Sequence, residues 1–215
     1  MYTPQSFVER DLPTLHSCME QHSFATLVTT GALGLTASHL PLLLDRDQGE
    51  NGTLIGHMAK ANPQWRDLAD SEALVIFQGP HAYISPGWMQ EQNVVPTWNY
   101  VAVHATGRVV LEEDSSKLLD IIRQYVKIYE SSLPVPWQLD SVEPGFTNSL
   151  LDAIVGFTIE ITSLEGKWKL NQNHSEERRQ RIVQGLQSQT DSGAHYIAEL
   201  MQATLTPSDR SVNET

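Results

Sequence analysis

The chain has 215 residues, with 26 acidic against 14 basic side chains and a formal net charge of −12. That length allows one substantial core, and that charge sets up a field that repels nucleic acid, so direct DNA binding is not expected. A single cysteine, Cys18, excludes an internal disulfide, and no run approaches the roughly 18 apolar residues of a membrane helix, so no membrane partner is expected.

The opening MYTPQSFVER has neither a basic n-region nor an apolar h-region, and the expectation is a cytoplasmic protein without a leader. Residues 5–22 place Phe7, Leu12, Leu15, Cys18 and Met19 at helical spacing, with Pro13 suited to a first turn. Cys18 beside Leu15 and Met19 reads as core. Residues 24–30 (FATLVTT) predict a strand. A second extended stretch over 33–44 completes a hairpin, and Thr53–Ala59 is a third strand after the turn-forming DRDQGENG. Asn62 followed by Pro63 is a helix start whose N-terminus suits an anion, with the helix expected to reach about Ala69. ALVIFQ at 73–78 is a buried strand, and the short connections imply an antiparallel sheet.

Residues 79–107 (GPHAYISPGWMQEQNVVPTWNYVAVHATG) gather His81, Tyr83, Trp88, Trp98, Tyr100 and His104 between glycines and prolines. Flat amphipathic rings at this density suit a flat ligand. From Val101 to Leu111 the pattern alternates as a long strand, so Tyr83 and Trp98 are expected side by side as a pocket wall. Taken alone, Trp88 and Trp98 read as packing residues as readily as cofactor contacts.

Asp114 caps a helix over Ser115–Glu130, a further helix is expected over 147–154, and 156–164 alternates as a half-buried strand. Ser175 opens a helix to about Ser188, another spans 195–203, and the last dozen residues are expected to fray. Arg178, Arg179 and Arg181 among glutamates read as a solvated helix face. His39, His57, His81 and His104 lack metal-ligand spacing, so no metal is expected. The tally is six or seven strands with peripheral helices: a mainly β fold, read as a compact barrel, with residues 1–190 as one domain and 191–215 as a C-terminal helix and tail.

The segments ASHLPLLLD, GHMAKANPQW, FQGPHAYISPGW, VVPTWNYVAVHATG and AIVGFTIEITSLEGKWKLNQN, in this order, resemble the PaiB-type FMN-binding negative transcriptional regulators. These belong to the flavin-binding split-barrel superfamily, which also holds pyridoxamine phosphate oxidases and small flavin reductases. The resemblance covers about residues 1–186. It implies an FMN-binding split β-barrel and a homodimer with FMN in a groove between subunits. Phosphate and ring contacts then map to Thr36, Ser38, His39 and Leu40, and to His57, Met58 and Lys60. The partner's side maps to Ser85, Trp88, Thr97 and Trp98, and the C-terminal contribution to Trp168, Lys169 and Gln172. Met89 stands where the family commonly has Tyr, and Asn171 replaces a Ser. Lys60, otherwise read as a solvated strand-end lysine, becomes a phosphate contact in this light.

Three functions share this fold. One is a flavin-dependent sensor or regulator acting indirectly on transcription. The second is an FMN-dependent oxidoreductase, of flavin reductase or pyridoxamine-phosphate-oxidase type, with a small-molecule ligand or nicotinamide donor. The third is a haem-binding or haem-degrading split barrel with His174 or His195 as axial ligand.

Overall fold

The structure is a computed structural model describing residues 1–32, 34–69 and 71–205. Leu33, the start of the expected second strand, and the tail after Leu205 lie outside the described residues.

The chain comprises two compact units. The first comprises Met1–Arg10, Gln78–Val103 and the chain from Glu165 onward; the second comprises Asp11–Phe77 and His104–Leu164. Eight strands form one sheet: β1 (Val8–Glu9), β2 (Phe24–Gly31), β3 (Gly34–Pro41), β4 (Leu43–Asp45), β5 (Thr53–Ala59), β6 (Glu72–Ile84), β7 (Thr97–Glu112) and β8 (Ile154–Lys169). Their order is β3-β2-β6-β7-β8-β5-β4, with β1 pairing β8. Strands β6, β7 and β8 each contribute residues to both units.

In the second unit β2 and β3 pair antiparallel from Phe24 opposite Pro41 to Gly31 opposite Gly34, and β5 pairs β8 from Thr53 opposite Glu160 to Ala59 opposite Ile154. The alternation read over 101–111 and 156–164 is the burial pattern, with Val109, Phe157 and Ile159 fully buried, and Leu27, Leu54, Val75 and Phe77 on the other strands are fully buried too. Helix α1 (Leu12–Gln21) is capped by Asp11, which accepts from Thr14 N, with Pro13 in its first turn. Burial also pushes the Cys18 thiol up to about 11, which keeps it inert.

Two expected strands differ from what forms. The stretch over 33–44 breaks into β3 and β4, because Pro41 lacks an N–H and Leu42 N turns to Ser23 O at 2.8 Å. The last strand runs on to Lys169, although Thr162 and Ser163 are both exposed and interrupt its alternation.

The first unit holds α2 (Pro86–Met89), α5 (Glu176–Gln187) and α6 (Ser192–Ala203), while α3 (Ser115–Glu130) and α4 (Pro144–Leu151) belong to the second. Ser175, Asp191 and Asp114 cap α5, α6 and α3 through their side chains. Helices α5 and α6 bury Ile182, Leu186, Ile197 and Met201 against Ala82, Ile84, Met89 and Leu170, with Trp88 and Trp168 packed on the same cluster. Gly185 is the contact point on α5, since a Cβ there would fall inside the Trp88 indole. On a free helix face Gly→Ala would stabilise by about 1 kcal/mol. Gly185→Ala is instead expected to destabilise by about 1–3 kcal/mol through overpacking, read as a lowered denaturant midpoint at unchanged slope.

Candidate cofactor site

Strand β3 lies at one edge of the sheet order, and the residues the resemblance assigns to FMN in the second unit lie on β3 and at the end of β5. The expected helix after β5 is a five-residue 3-10 turn, Pro63–Asp67. A turn this short has little macrodipole, Pro63 has no N–H, and Gln64 N is spent on Asn62 Oδ1 at 3.0 Å. Anion binding here therefore falls to side chains more than to a helix terminus.

Those side chains are held in place. Asn62 Nδ2 donates to Ser38 Oγ at 2.8 Å, and Lys60 is fixed through its backbone: Lys60 N donates to Ala153 O at 2.8 Å and Lys60 O accepts from Trp65 Nε1 at 3.0 Å. Buried Gln64 donates through Nε2 to Leu27 O, Thr29 Oγ1 and Thr36 O at 3.3, 3.0 and 3.2 Å. The Lys60 ammonium forms no ion pair among the described residues. Thr36, Ser38 and Leu40 are half-buried, and His39 is exposed with Nδ1 3.1 Å from Thr26 Oγ1.

On β5 the alternation separates two of the expected residues. Met58 is 2% exposed and belongs to the core, whereas half-buried His57 sits on the opposite face. The His57 ring meets Tyr125 edge-on at 5.0 Å, and its Nδ1 is buried with no partner. Tyr125 donates its hydroxyl towards Pro41 O at 2.6 Å and Ile55 O at 3.1 Å. The sequence gives Tyr125 no signal beyond its place on the apolar stripe of α3.

The residues assigned to the partner's side fall in the first unit. Tyr83 and Trp98 do stand side by side, their rings 5.9 Å apart and edge-to-face, with His81 6.0 Å from Trp98. Tyr83 is 46% and Trp98 53% exposed, so the wall faces outward. The other residues are engaged within their own unit. Ser85 caps α2 by accepting from Gly87 N at 3.2 Å, and Trp88 and Trp168 pack on the apolar cluster. Gln172 accepts from Leu170 N at 2.8 Å and donates to Trp168 O at 2.5 Å. Lys169 Nζ donates to Thr97 Oγ1 at 2.5 Å and Trp98 O at 2.7 Å.

The arginine cluster is not a solvated helix face. Arg178 pairs with Glu91 through two nitrogens, Arg181 Nη2 reaches the same carboxylate at 2.5 Å, Arg181 Nε donates to Met89 O, and Arg179 bonds Thr204. The Arg178 hydrogen bond, with the nearby charges of Arg178 and Arg181, holds the Glu91 carboxyl below its ordinary range. Glu91 is 87 and 90 residues away from these arginines in sequence, so spacing could not find the pairing.

A family model described as "Putative FMN-binding domain" matches residues 1–163. The chain belongs to this FMN-binding family. It is 37% identical over 209 residues to "Protease synthase and sporulation protein PAI 2" of Bacillus subtilis (strain 168), covering 95% of this chain and 98% of that protein. Among solved structures it is similar to the flavocytochrome Anf3 from Azotobacter vinelandii, at a TM-score of 0.58, 13% identity, 75% of this chain and 69% of that one. It is also similar to the FAD and heme binding protein from Mycobacterium smegmatis, at a TM-score of 0.50, 13% identity and coverage of 75% and 73%. The fold is the mainly β split barrel of flavin-binding proteins, and FMN is the family's cofactor.

The second unit's residues fit that cofactor. Lys60 offers an ammonium without an ion pair, Ser38 and Thr36 offer hydroxyls able to donate to a phosphate, and His57 offers a buried ring nitrogen without a partner. Burial holds the His57 pKa below its ordinary 6.5. The stability contributed by neutral His57 is complete above pH 6.5 and is lost as pH falls from 6.5 towards the lowered folded-state value. Acid titration of stability is expected to flatten over that window in His57→Gln, and an unchanged slope would remove His57 as its source.

Proposed function

We propose that this protein is a flavin-dependent sensor that bears on gene expression indirectly, with FMN held by its phosphate at Lys60, Ser38 and the Asn62 turn. The observation that carries the reading is that Lys60, which directly follows β5 and forms no ion pair among the described residues, comes two residues before Asn62, whose side chain bonds Ser38. FMN, when bound, supplies the reversible redox chemistry of its ring; the residues here bind it, orient it and exclude water. The relative's name ties it to protease synthesis and sporulation, which supports a role in control of expression. The net charge of −12 argues that such control does not run through direct contact with an operator.

The reading includes a homodimer in which the His81–Tyr83–Trp98 face of one copy covers FMN held at β3 and β5 of the other. Exposed aromatic rings on a monomer are the surfaces that association buries. A second reading, an FMN-dependent oxidoreductase, is favoured by the same outward rings, which offer a stacking surface to a planar second ligand. A haem reading finds less: His195 Nε2 is bonded to Gln189 O at 2.7 Å and His174 Nδ1 to Arg178 at 2.9 Å.

Lys60→Ala is expected to weaken FMN binding by about tenfold to a hundredfold, the loss of one charge-assisted contact, with circular dichroism unchanged. Unaltered FMN affinity would remove the phosphate from this place. Dilution in a sedimentation experiment is expected to release FMN as the dimer dissociates, and a monomer that retains FMN fully would overturn the shared site. Anaerobic NADPH separates the two functional readings: an oxidoreductase bleaches the flavin bands, and the sensor reading expects them to persist.

A further inference from the structure

The first unit contains a cavity of about 370 Å³ that the flavin reading does not use. Its volume falls at the lower end of small-molecule pockets, about 300–1,000 Å³. The loop between α2 and β7 lines one side, and the loop between β8 and the start of α5 lines the other.

Charge sets this cavity apart from the rest of an acidic chain. Lys169 and Arg178 are in its lining, and no carboxylate is. Glu91, which pairs with Arg178, is shared with Arg181, so one acidic group serves two arginines and leaves Lys169 without an acidic partner. The Lys169 ammonium bonds two neutral oxygens, Thr97 Oγ1 and Trp98 O. Burial, and secondarily the charge of Lys167, press its pKa downward, and the opposite charge of an anion placed beside it would offset them. Asn93, Asn171 and Asn173 add amide groups to the lining, and Asn93 and Asn171 both hold left-handed backbone with φ of 58° and 60°. Phe7 and Met89, 9% and 3% exposed, add apolar surface to the same lining.

We propose that this cavity binds a small organic carboxylate, its anionic head on Lys169 with Arg178 nearby and its apolar body against Phe7 and Met89. A carboxylate suits it better than a phosphate dianion. The Arg178 fork is committed to Glu91 and its Nη1 to His174, which leaves Lys169, bonded only to neutral oxygens, as the one lining cation without a carboxylate. The assignment gives Thr97 and Lys169 to a second ligand rather than to FMN, and it stands independently of where FMN is held. Occupancy bears on Trp98 through Lys169, whose Nζ already bonds the Trp98 carbonyl, so ligand and exposed ring face share one lysine.

The test is calorimetric titration of the full chain with benzoate, benzamide and inorganic phosphate in turn, with and without saturating FMN. Benzoate is expected to saturate at one per chain. Benzamide, equal in shape but uncharged, is expected to bind at least about tenfold more weakly, and phosphate likewise. Lys169→Gln is expected to weaken benzoate by about tenfold or more, and Lys60→Ala to leave it unchanged. No saturation by about 20 mM benzoate, equal binding of benzamide, or full binding in Lys169→Gln would each overturn the proposal. The comparison of benzoate with benzamide uses the unaltered protein, so it decides the matter even if Lys169→Gln does not fold. Benzoate binding in a preparation that takes up no FMN would sink the flavin reading alone.

Discussion

The carboxamide of Asn62 is the constraint on which the cofactor account depends. It donates to Ser38 on β3 and accepts from Gln64, and Gln64 in turn ties Leu27, Thr29 and Thr36 on β2 and β3 to the same turn. A single short turn thus fixes two strands and the backbone of Lys60 together. Ser38 Oγ accepts from Asn62 in this arrangement and keeps its own hydrogen to donate to an anion. The Lys60 main chain is fixed by Ala153 O and the Trp65 indole, which sets where the lysine starts, while its ammonium forms no ion pair among the described residues.

Electrostatics gives the molecule a coherent plan. Lys60 and Lys169 both lack an acidic partner among the described residues of a chain whose net charge is −12. The first directly follows β5, which carries His57 with its partnerless ring nitrogen, and comes two residues before Asn62, which bonds Ser38; the second lines a cavity with amides and apolar side chains. Both arrangements suit anions, and they differ in what else they offer. A sensor needs this combination: a redox cofactor in one place, and a second ligand whose presence is felt by residues next to the exposed rings.

Much of the fold was legible in the sequence because its signals are local. Asp114 and Ser175 announced helix starts, β-branched composition announced β2, and period-two alternation announced β7 and the first part of β8. The adjacency of Tyr83 and Trp98 followed from two strands flanking one loop. What the sequence hid was long-range. Glu91 meets arginines some ninety residues on, Tyr125 closes on His57 from another element, and β8 continues through a polar interruption because β1 pairs with its end. The family motifs pointed to Ser85, Trp88 and Gln172. Whether those side chains were already engaged in a cap, a packed cluster or a loop of their own could be read only from coordinates.

The central claim is that the phosphate end of FMN is bound at Lys60. The most direct measurement is a paired equilibrium titration of the flavin-free protein with FMN and with riboflavin, which differ only in that phosphate. The account predicts riboflavin to bind at least about tenfold more weakly than FMN, and predicts Lys60→Ala to erase most of that difference. Equal affinity for the two flavins, or a preference for FMN that survives in Lys60→Ala, would contradict it.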